Sequence, residues 1–548
     1  MKRTIKNILL LASGSASLLF SSCYKDLGNY AYKDVNKVVI DTFPSSIFVY
    51  QFDTLRLTPK ISATLDSSIL NDTARFAYQW TIGGNGSSYV KGTILSYDRN
   101  LNARVTNAVG SYGLYFEMTD KKTGQVFTRY TSQLVIGSST YEGWMVLCDV
   151  DGNTRLDMVN FVNGNTRFTR DILSLSPDLP KPLKGPRYIA YYATGRPNAA
   201  PPPYHNPAVS LVDREWIYLC TDKGSWKLRN DYLYTSGAWY TSKEFISRPD
   251  SATFLPGFVG ANEGAASSDY VYVYDNKGNF YERDPYQWYV TNMNKVSGEG
   301  NFRAAPFLGR NYGMAFFYNS VLFDMDKKRF LLSTPGSSTC NIIPNPDSPL
   351  FDFSNTGMDL RWMRSVPGLD LTFAIMKDAA GDTWLLTFDV RSSVTQDRKV
   401  KLTGTDISKA EHFTVDKNYG TIYYSVGSKV YAMNKDFPGV CYQVLDAGNK
   451  KISWLDQHLF TVNKGYGPSR GGYVNGYTYN NPQGSGSLDN YPGSWLGVAT
   501  YDPAQPTASN GTLTFYSPQD FLSQHAALVK KQEYSGFGKI VSVSYRER

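Results

Sequence analysis

The most regular pattern in this chain is an apolar, aromatic-rich run, then a tight polar turn, then a second run of the same kind. The first three copies begin at Trp144, Trp216 and Tyr270. Apolar runs joined by short Gly, Asn or Asp turns are typical of β-hairpins. The turns of the seven copies are Asp151-Gly152, Asp222-Lys223-Gly224, Asn276-Lys277-Gly278, Asp326-Lys327-Lys328, Ala380-Gly381-Asp382, Gly427-Ser428 and Asn510-Gly511.

The spacing of these turns predicts the architecture of residues 141–548. The turns recur at roughly 50 residues with two longer intervals, which is typical of four-stranded propeller blades that carry loop insertions. We therefore predict a seven-bladed β-propeller-like domain. The alternating run Ile540–Tyr545 is expected to pair with the strand at Trp144 and close the ring. A string of separate sandwich modules is the alternative fold.

Residues 38–137 show a different pattern of short alternating runs separated by Gly, Asn and Asp clusters. About seven such strands in roughly 100 residues favour an immunoglobulin-like sandwich, with Trp80 as a candidate core anchor. The predicted fold class is thus all-β, a sandwich followed by a propeller-like domain. One short helix is also expected, with Ser517 as its N-cap, Pro518 at its first position, and one face formed by Phe521, Leu522, His525, Leu528 and Val529.

The first 22 residues read as a secretory leader that ends at a cysteine. Lys2, Arg3 and Lys6 precede an apolar run too short to span a bilayer, and Ser21-Ser22 supply the small residues before Cys23. This arrangement resembles a bacterial lipobox. It implies lipidation of Cys23, with residues 23–37 as a linker to the sandwich and acyl chains holding the protein on a membrane.

Composition narrows the classes of partner. The net charge is +8 over 548 residues without basic runs, so we expect no nucleic-acid partner. The remaining cysteines, Cys148, Cys220, Cys340 and Cys441, form no CxxC pair, so neither a zinc site nor a redox site is indicated. They read as small buried hydrophobic residues, although a disulfide is open for an exported protein.

Catalytic patterns are weak in this sequence. Gly467–Gly471 matches GxSxG but lacks the strand and helix that this motif requires, and no HExxH or Walker loop occurs. The four histidines, His205, His412, His458 and His525, are far apart and read as structural or surface residues. Asp149–Asn153 resembles part of a calcium loop without its glutamate, so a hairpin turn is the better interpretation. We predict no catalytic residue, metal or cofactor.

Aromatic residues give the stronger signal, because aromatics form 15% of the chain and Tyr occurs 41 times. Tyrosine and tryptophan in loops offer large contact area to sugars or peptides at low entropic cost, although many could simply pack between blades. The candidate ligand-binding residues lie in two long insertions or in clusters just after blade turns: Tyr192, Tyr204, Trp239, Tyr240, Trp288, Tyr473, Tyr477, Tyr479, Tyr491 and Trp495.

Cys23, the sandwich and the Glu142-Gly143-Trp144 start of the second domain together resemble PKD-like surface lipoproteins of Bacteroidota-type bacteria. In the sandwich the resemblance lies in Tyr78-Gln79-Trp80, the glycine-rich Gly83–Gly86 and Gly110–Tyr115. It implies an outer-membrane accessory subunit that faces the cell exterior. The expected partners are a SusC-like TonB-dependent transporter, a SusD-like lipoprotein and a glycan or peptide nutrient. The alternatives are a surface propeller hydrolase or lyase, and a purely structural scaffold of the importer.

Overall fold

A computed structural model describes this chain over most of its length. The described residues are 36–84, 92–107, 109–138, 143–162, 165–176, 179–193, 215–229, 240–261, 271–283, 291–310, 319–334, 337–366, 369–390, 393–417, 419–457, 472–474, 477–479, 495–518, 521 and 528–546. They form two compact units, one that ends at Ile136 and one that begins at Gly137.

The first unit is a β-sandwich. Its larger sheet has the order β2-β9-β8-β5-β6, and the pairs β1-β4 and β3-β7 complete it. The strands are β1 Val38–Ile40, β2 Ser46–Tyr50, β3 Thr54–Leu57, β4 Ile61–Ala63, β5 Phe76–Gly83, β6 Thr93–Ser96, β7 Leu101–Arg104, β8 Gly110–Asp120 and β9 Val126–Gly137, with a 3-10 helix at Ser67–Asn71.

Trp80 lies at the centre of the sandwich core, as the sequence predicts. Its side chain is fully buried, and its ring centroid is 4.5 Å from that of Phe116 and 5.6 Å from that of Phe43. Its indole N–H donates to the Asp98 carbonyl at 3.0 Å, so the polar atom is satisfied inside the apolar core.

The second unit contains seven main sheets, which we call blades 1 to 7 in chain order. Blade 1 has the order β12-β11-β10-β39, blade 2 β13-β14-β15, blade 3 β16-β17-β18, blade 4 β20-β19-β24-β23-β22-β21, blade 5 β25-β26-β27-β28, blade 6 β29-β30-β31-β32 and blade 7 β33-β36-β37-β38. A separate small hairpin pairs β34 with β35.

The bounds of these elements follow in chain order. They are β10 Gly143–Val150, β11 Asn153–Val162, β12 Asn165–Thr169, β13 Pro186–Ala193, β14 Glu215–Thr221, β15 Gly224–Arg229, β16 Pro256–Ala261, β17 Val271–Asp275, β18 Phe280–Arg283, β19 Lys295–Val296, β20 Gly300–Asn301, β21 Gly309–Arg310, β22 Ser320–Asp324, β23 Arg329–Ser333, β24 Cys340–Ile342, β25 Asp359–Val366, β26 Leu371–Lys377, β27 Thr383–Asp389, β28 Thr395–Leu402, β29 His412–Val415, β30 Thr421–Val426, β31 Lys429–Asn434, β32 Phe437–Asp446, β33 Lys451–Asp456, β34 Gly472–Val474, β35 Tyr477–Tyr479, β36 Leu496–Tyr501, β37 Gly511–Ser517, β38 Val529–Phe537 and β39 Lys539–Arg546. Short 3-10 helices cover Ile172–Leu175, Thr241–Glu244 and Ile407–Lys409.

The second strand of each blade explains why the blades stack. In β14, Ile217 and Leu219 pack in a core cluster with blade 1, while the alternate residues Tyr218 and Cys220 pack with blade 3. Successive side chains of a strand point to opposite faces, so a strand buried on both faces reads as a continuous apolar run. The same alternation links every consecutive pair of blades, and a last cluster joins blade 7 to blade 1. The seven sheets therefore form a closed ring.

All seven predicted hairpins are confirmed, and each joins the second and third strands of one blade. In the first of these hairpins, Asp151 (φ 53°) and Gly152 (φ 76°) form the two-residue turn between β10 and β11. Positive φ at both central residues is what a hairpin turn matched to the strand twist requires. The Asp149 carboxylate accepts from the Gly152 N–H at 2.7 Å, so Asp149–Asn153 is a hairpin turn, as predicted.

The predicted ring closure is also confirmed. β39 pairs antiparallel with β10, with Trp144 opposite Tyr545 and Val146 opposite Val543. Trp144 stacks on Phe515 of blade 7 at 4.3 Å between ring centroids and meets Tyr545 edge-on at 4.8 Å. The last strand thereby completes the first blade and leaves β10 without an exposed edge.

The predicted helix after Ser517 is only partly covered by the structure. Phe521 is helical and buried, and residues 519–520 and 522–527 lie outside the described part of the chain. Val529 was expected on the helix face, but it begins strand β38 and pairs with Ser517 instead. Within the described residues, no helix is long and apolar enough to cross a membrane.

The cysteines behave as small hydrophobic residues, as predicted. Cys148, Cys220 and Cys340 are buried free thiols, and Cys441 is half-buried. Burial raises the pKa of Cys220 and of Cys340 to about 12, and it also raises the pKa of Cys148. Thiols this far from ionisation are inert as nucleophiles and metal ligands near neutral pH.

Candidate functional site

One edge strand of each blade faces the inside of the ring, and we call these seven the inner strands: β39, β13, β16, β21, β25, β29 and β33. The inner strands of several neighbouring blades contact one another directly. In β13, the Ile189 and Tyr191 N–H groups donate to the hydroxyls of Ser542 (3.3 Å) and Ser544 (3.0 Å) on β39. Residue numbers on both strands increase together from one hydrogen bond to the next, so these two inner strands run parallel.

A cavity of about 310 Å³ opens on the inside of the ring, and we call it the ring cavity. It is lined by residues from three consecutive inner strands, β25, β29 and β33, from the segment before β29, and by Phe307, which precedes β21. The lining residues are Phe307, Arg361, Trp362, Arg364, Ala410, Glu411, His412, Phe413, Leu455 and Asp456.

An ion pair ties three of the inner strands together at this cavity. Arg364 of β25 bonds the Asp456 carboxylate of β33, passing the intervening strand β29. The Thr414 hydroxyl of β29 donates to the same oxygen, Asp456 Oδ1, at 3.0 Å. Both ion-pair side chains are partly exposed, at 19% and 33%, so the pair is reachable from solvent. Asp456 therefore connects the inner strands and also lines the cavity.

A second pair of opposite charges lines the cavity without forming an ion pair. The Arg361 guanidinium donates to the Ala410 carbonyl at 3.1 Å. The Glu411 carboxylate accepts from the Gly427 N–H at 3.1 Å. Guanidinium carries five donors in a planar fork and a carboxylate carries about four acceptor sites, so each group has bonding capacity left for a ligand.

His412 contributes a neutral ring to the cavity wall. Burial lowers the pKa of His412, and the positive charge of Lys539 acts in the same direction. The negative charge of Glu411 and a hydrogen bond with the Ile452 backbone oppose this shift without reversing it. At neutral pH the imidazole is therefore uncharged and offers one donor and one acceptor.

Apolar and aromatic side chains supply the rest of the wall. Phe307 and Trp362 are partly buried and pack against the clusters between blades 4 and 5 and between blades 5 and 6, respectively. Phe413 and Leu455 are buried. Because these rings are held by the blade cores, they present a fixed apolar surface beside the charged groups.

The charges of the ring cavity balance. Two guanidinium groups, Arg361 and Arg364, face two carboxylates, Glu411 and Asp456. Such a set can bind a polar ligand through donors and acceptors together. It also brings a histidine near two carboxylates, which is a combination that acid–base chemistry uses. Within the described residues, no group of three His, Cys, Asp or Glu side chains could hold a metal ion.

Two of the predicted ligand-binding residues have described side chains, and both lie in packed positions. Trp495 is 2% exposed in the core between blades 7 and 1, 6.4 Å from the Phe515 ring centroid. The expectation of ligand contact by Trp495 is corrected accordingly, because its side chain is interior. Tyr240 is half-buried against Trp226, 5.4 Å between ring centroids.

The remaining predicted site residues lie partly or wholly outside the described part of the chain. The backbone positions of Tyr192, Tyr473, Tyr477 and Tyr479 are described, in β13, β34 and β35, but their side chains are not. Wholly outside are Cys23, Tyr204, Trp239, Trp288 and Tyr491. The same holds for His205, His458, His525 and the GxSxG segment 467–471, which were not predicted as site residues.

Sequence reasoning missed the residues that line the ring cavity. Arg361, His412 and Asp456 are roughly 40 to 50 residues apart, and no motif connects them. The available signal was the repeat itself: each lies on the strand before a predicted hairpin, at the position that the propeller topology brings to the inside of the ring.

Comparison with known proteins bears on the first unit and part of the first blade. Residues 23–176 match the PKD-like family. No curated protein matches the chain.

Solved structures give only distant likenesses. A quinonprotein alcohol dehydrogenase-like protein from Bacteroides thetaiotaomicron is 12% identical with a TM-score of 0.43, over 93% of this chain and 99% of that one. A DUF4784 family protein from Bacteroides caccae is 8% identical with a TM-score of 0.26, over 93% and 98%. A periplasmic gluconolactonase from Pseudomonas aeruginosa is 8% identical with a TM-score of 0.30, over 86% and 98%. The chain thus contains a PKD-like domain followed by a seven-bladed, propeller-like body.

Proposed function

We propose that this protein is a non-enzymatic binding subunit of the bacterial cell surface, which holds a small nutrient ligand in the ring cavity. The observation that carries this proposal is the cavity itself. It combines balanced charges, a neutral imidazole and fixed aromatic rings on a rigid ring of blades. Small-ligand sites are concave and carry precisely placed polar groups, and rigid scaffolds hold them in position.

The location and partners belong to the same proposal. The leader that ends at Cys23 supports a lipid anchor on the outer membrane, facing outward. The PKD-like match supports the resemblance to lipoproteins that accompany SusC/SusD-type importers. In this role the subunit passes its ligand, a glycan or a peptide, to a TonB-dependent transporter with its SusD-like partner.

Fractionation and co-purification test the anchor and the partners. The full chain should appear in the outer membrane, and Cys23→Ala should leave that fraction because it lacks the acylated residue. Mild-detergent purification of the lipidated protein should bring down a transporter and a SusD-like lipoprotein. Recovery of the lipidated protein without any transporter would contradict the docking role.

A surface hydrolase or lyase is the second candidate, and one observation favours it. His412, Glu411 and Asp456 line one cavity, so a base and two carboxylates converge inside the ring. However, Asp456 is engaged by Arg364 and Thr414. Incubating the mature chain with glycan and peptide pools, followed by product analysis, separates the two functions. Binding with intact ligand supports the subunit, whereas new chain ends that disappear in His412→Gln support the enzyme.

A further inference from the structure

The ring cavity also indicates a ligand class. We propose that it binds the end unit of a neutral sugar chain, in preference to an acidic sugar or a short peptide. This inference rests on the proposed binding function and deepens it, because sequence patterns left glycan and peptide equally open.

Charge balance is the first step. Arg364 and Asp456 neutralise each other directly, and Arg361 and Glu411 add one further charge of each sign. A ligand with a net charge would leave one of these charges in excess inside a partly enclosed space, where an uncompensated charge is costly. A ligand without net charge preserves the balance, so the charges of the lining disfavour an acidic sugar.

Hydrogen-bonding capacity is the second step. A sugar hydroxyl donates one hydrogen bond and accepts others, so it suits a wall that alternates donors and acceptors. Arg361 has fork donors beyond the one used on Ala410. Within the described part of the chain, the hydrogen bonds to Asp456 and Glu411 end on Oδ1 and Oε1, and this leaves Oδ2 and Oε2 as acceptors for a ligand. Donors and acceptors are therefore both available within one cavity.

The aromatic wall is the third step. One face of a sugar ring is lined by C–H groups, and such faces pack on aromatic rings. Trp362 lies next in sequence to Arg361 and lines the same cavity, with Phe307 as a further ring. An apolar ring beside a donor fork matches a ligand with one C–H face and a hydroxyl-bearing rim.

Size is the last step. At about 310 Å³ the cavity lies at the lower end of the range for ligand pockets, about 300 to 1,000 Å³. It therefore accommodates one or two sugar rings and not the middle of a polymer. The end of a chain, or a short oligosaccharide, is the ligand that fits.

Calorimetric titration of the full mature chain tests this class directly. The probes are the neutral disaccharides lactose, maltose and cellobiose, the acidic sugar galacturonate, and the dipeptide Ala-Ala. At least one neutral disaccharide should bind ten-fold or more tightly than galacturonate and Ala-Ala. Trp362→Ala should weaken that binding at least ten-fold. The matched control, Trp384→Ala on β27 of the same blade, removes a partly buried tryptophan outside the cavity and should leave binding unchanged.

Removing one charge from the cavity makes the test specific. Glu411→Gln removes one carboxylate and leaves the cavity with an excess positive charge. The affinity of the variant for galacturonate, relative to its affinity for the neutral sugar, should therefore rise about ten-fold, which is about 1.4 kcal/mol. Arg361→Gln should change that preference in the opposite direction. A role of Glu411 in folding alone would lower binding of all probes together and would not reverse a preference.

The outcomes separate this inference from the proposed function. Tight binding of galacturonate or Ala-Ala that Trp362→Ala abolishes would overturn the neutral-sugar class and leave the binding role standing. Sugar binding that is equal in Trp362→Ala and Trp384→Ala would overturn the site. Absence of binding for every probe, or cleavage of a disaccharide, would contradict the binding role and this inference with it.

Discussion

Lys227 and Glu244 form an ion pair inside blade 2, with side-chain exposures of 0% and 1%. Tyr218 adds a hydrogen bond to Glu244 at 3.2 Å, and its ring lies 5.5 Å from the Lys227 ammonium. Two charges taken out of water depend on each other, so removing one partner takes away the opposite charge beside the one that stays buried.

Lys227→Met should therefore lower the free energy of unfolding by about 3–5 kcal/mol. Lys409→Met is the matched control. Lys409 pairs with Asp406 on the surface, and removal of an exposed ion pair changes the free energy of unfolding little. Urea unfolding followed by tryptophan fluorescence measures both. Equal stability of the two variants would show that the buried pair does not support the fold.

Burial of His412 makes the stability of the protein depend on pH, in a direction that follows from its lowered pKa. Its pKa is lower in the folded protein than in the unfolded chain, mainly because of burial. Between those two pKa values the unfolded chain binds more protons, so stability rises with pH through that window. Acidification from about pH 6.5, the ordinary value for histidine, should destabilise the protein.

His412→Gln should remove that part of the pH dependence, because glutamine does not titrate. Unfolding free energies of the wild type and the variant, measured from pH 7.5 down to pH 5, should diverge in slope. Parallel curves would contradict the burial of an uncharged imidazole. Glu411 and Lys539, whose charges act on His412, are present in both proteins, so the difference between the curves reports on the imidazole.

At the scale of elements, the hairpins and the closing strand β39 were predictable, and the other six inner strands were not. The turns carry their own chemistry, such as positive φ at Asp151 and Gly152 in the β10–β11 turn. The second strand of each blade is apolar on both faces and stands out in sequence. The inner strands β29 and β33 carry polar side chains at the ring cavity, as His412 and Asp456 show, so their hydrophobic pattern is weak.

The ring cavity could not be predicted for a related reason. Its charged residues come from segments that belong to blades 5, 6 and 7, and only ring closure brings them together. Aromatic content was a misleading guide at Trp495, where a large ring serves the core between blades. Composition shows that aromatic residues are abundant, but it does not show which of them are exposed.

Strand β39 is the element on which the closed ring depends. Ile540 and Tyr545 are fully buried, and both belong to the cluster between blades 7 and 1. Deleting Lys539–Arg546 should expose that cluster and the edge of β10, with a marked fall in melting temperature and new binding of a hydrophobic dye. Deleting only residues 547–548 is the control. Unchanged melting after the long deletion would contradict closure by this strand.

At the scale of the whole molecule, the two units have separate cores. Trp80 anchors the core of the sandwich, and Trp226 lies in the core between blades 1 and 2. We therefore predict two thermal transitions in calorimetry. Trp80→Ala should lower the temperature of only one transition, and Trp226→Ala that of only the other. Each substitution should reduce the free energy of unfolding of its own unit by about 3–5 kcal/mol, the usual cost of removing a buried tryptophan. A single transition shifted equally by both substitutions would show that the units unfold as one.

A ligand held without reaction inside the ring is the central claim for this protein, and a crystal structure of the mature chain soaked with a neutral oligosaccharide tests it most directly. The predicted result is density for an intact sugar end unit in the cavity, in contact with Trp362 and within hydrogen-bonding distance of Arg361 and Glu411. Density for a cleaved product, or ligand bound only at the aromatic insertions with the cavity empty, would contradict it.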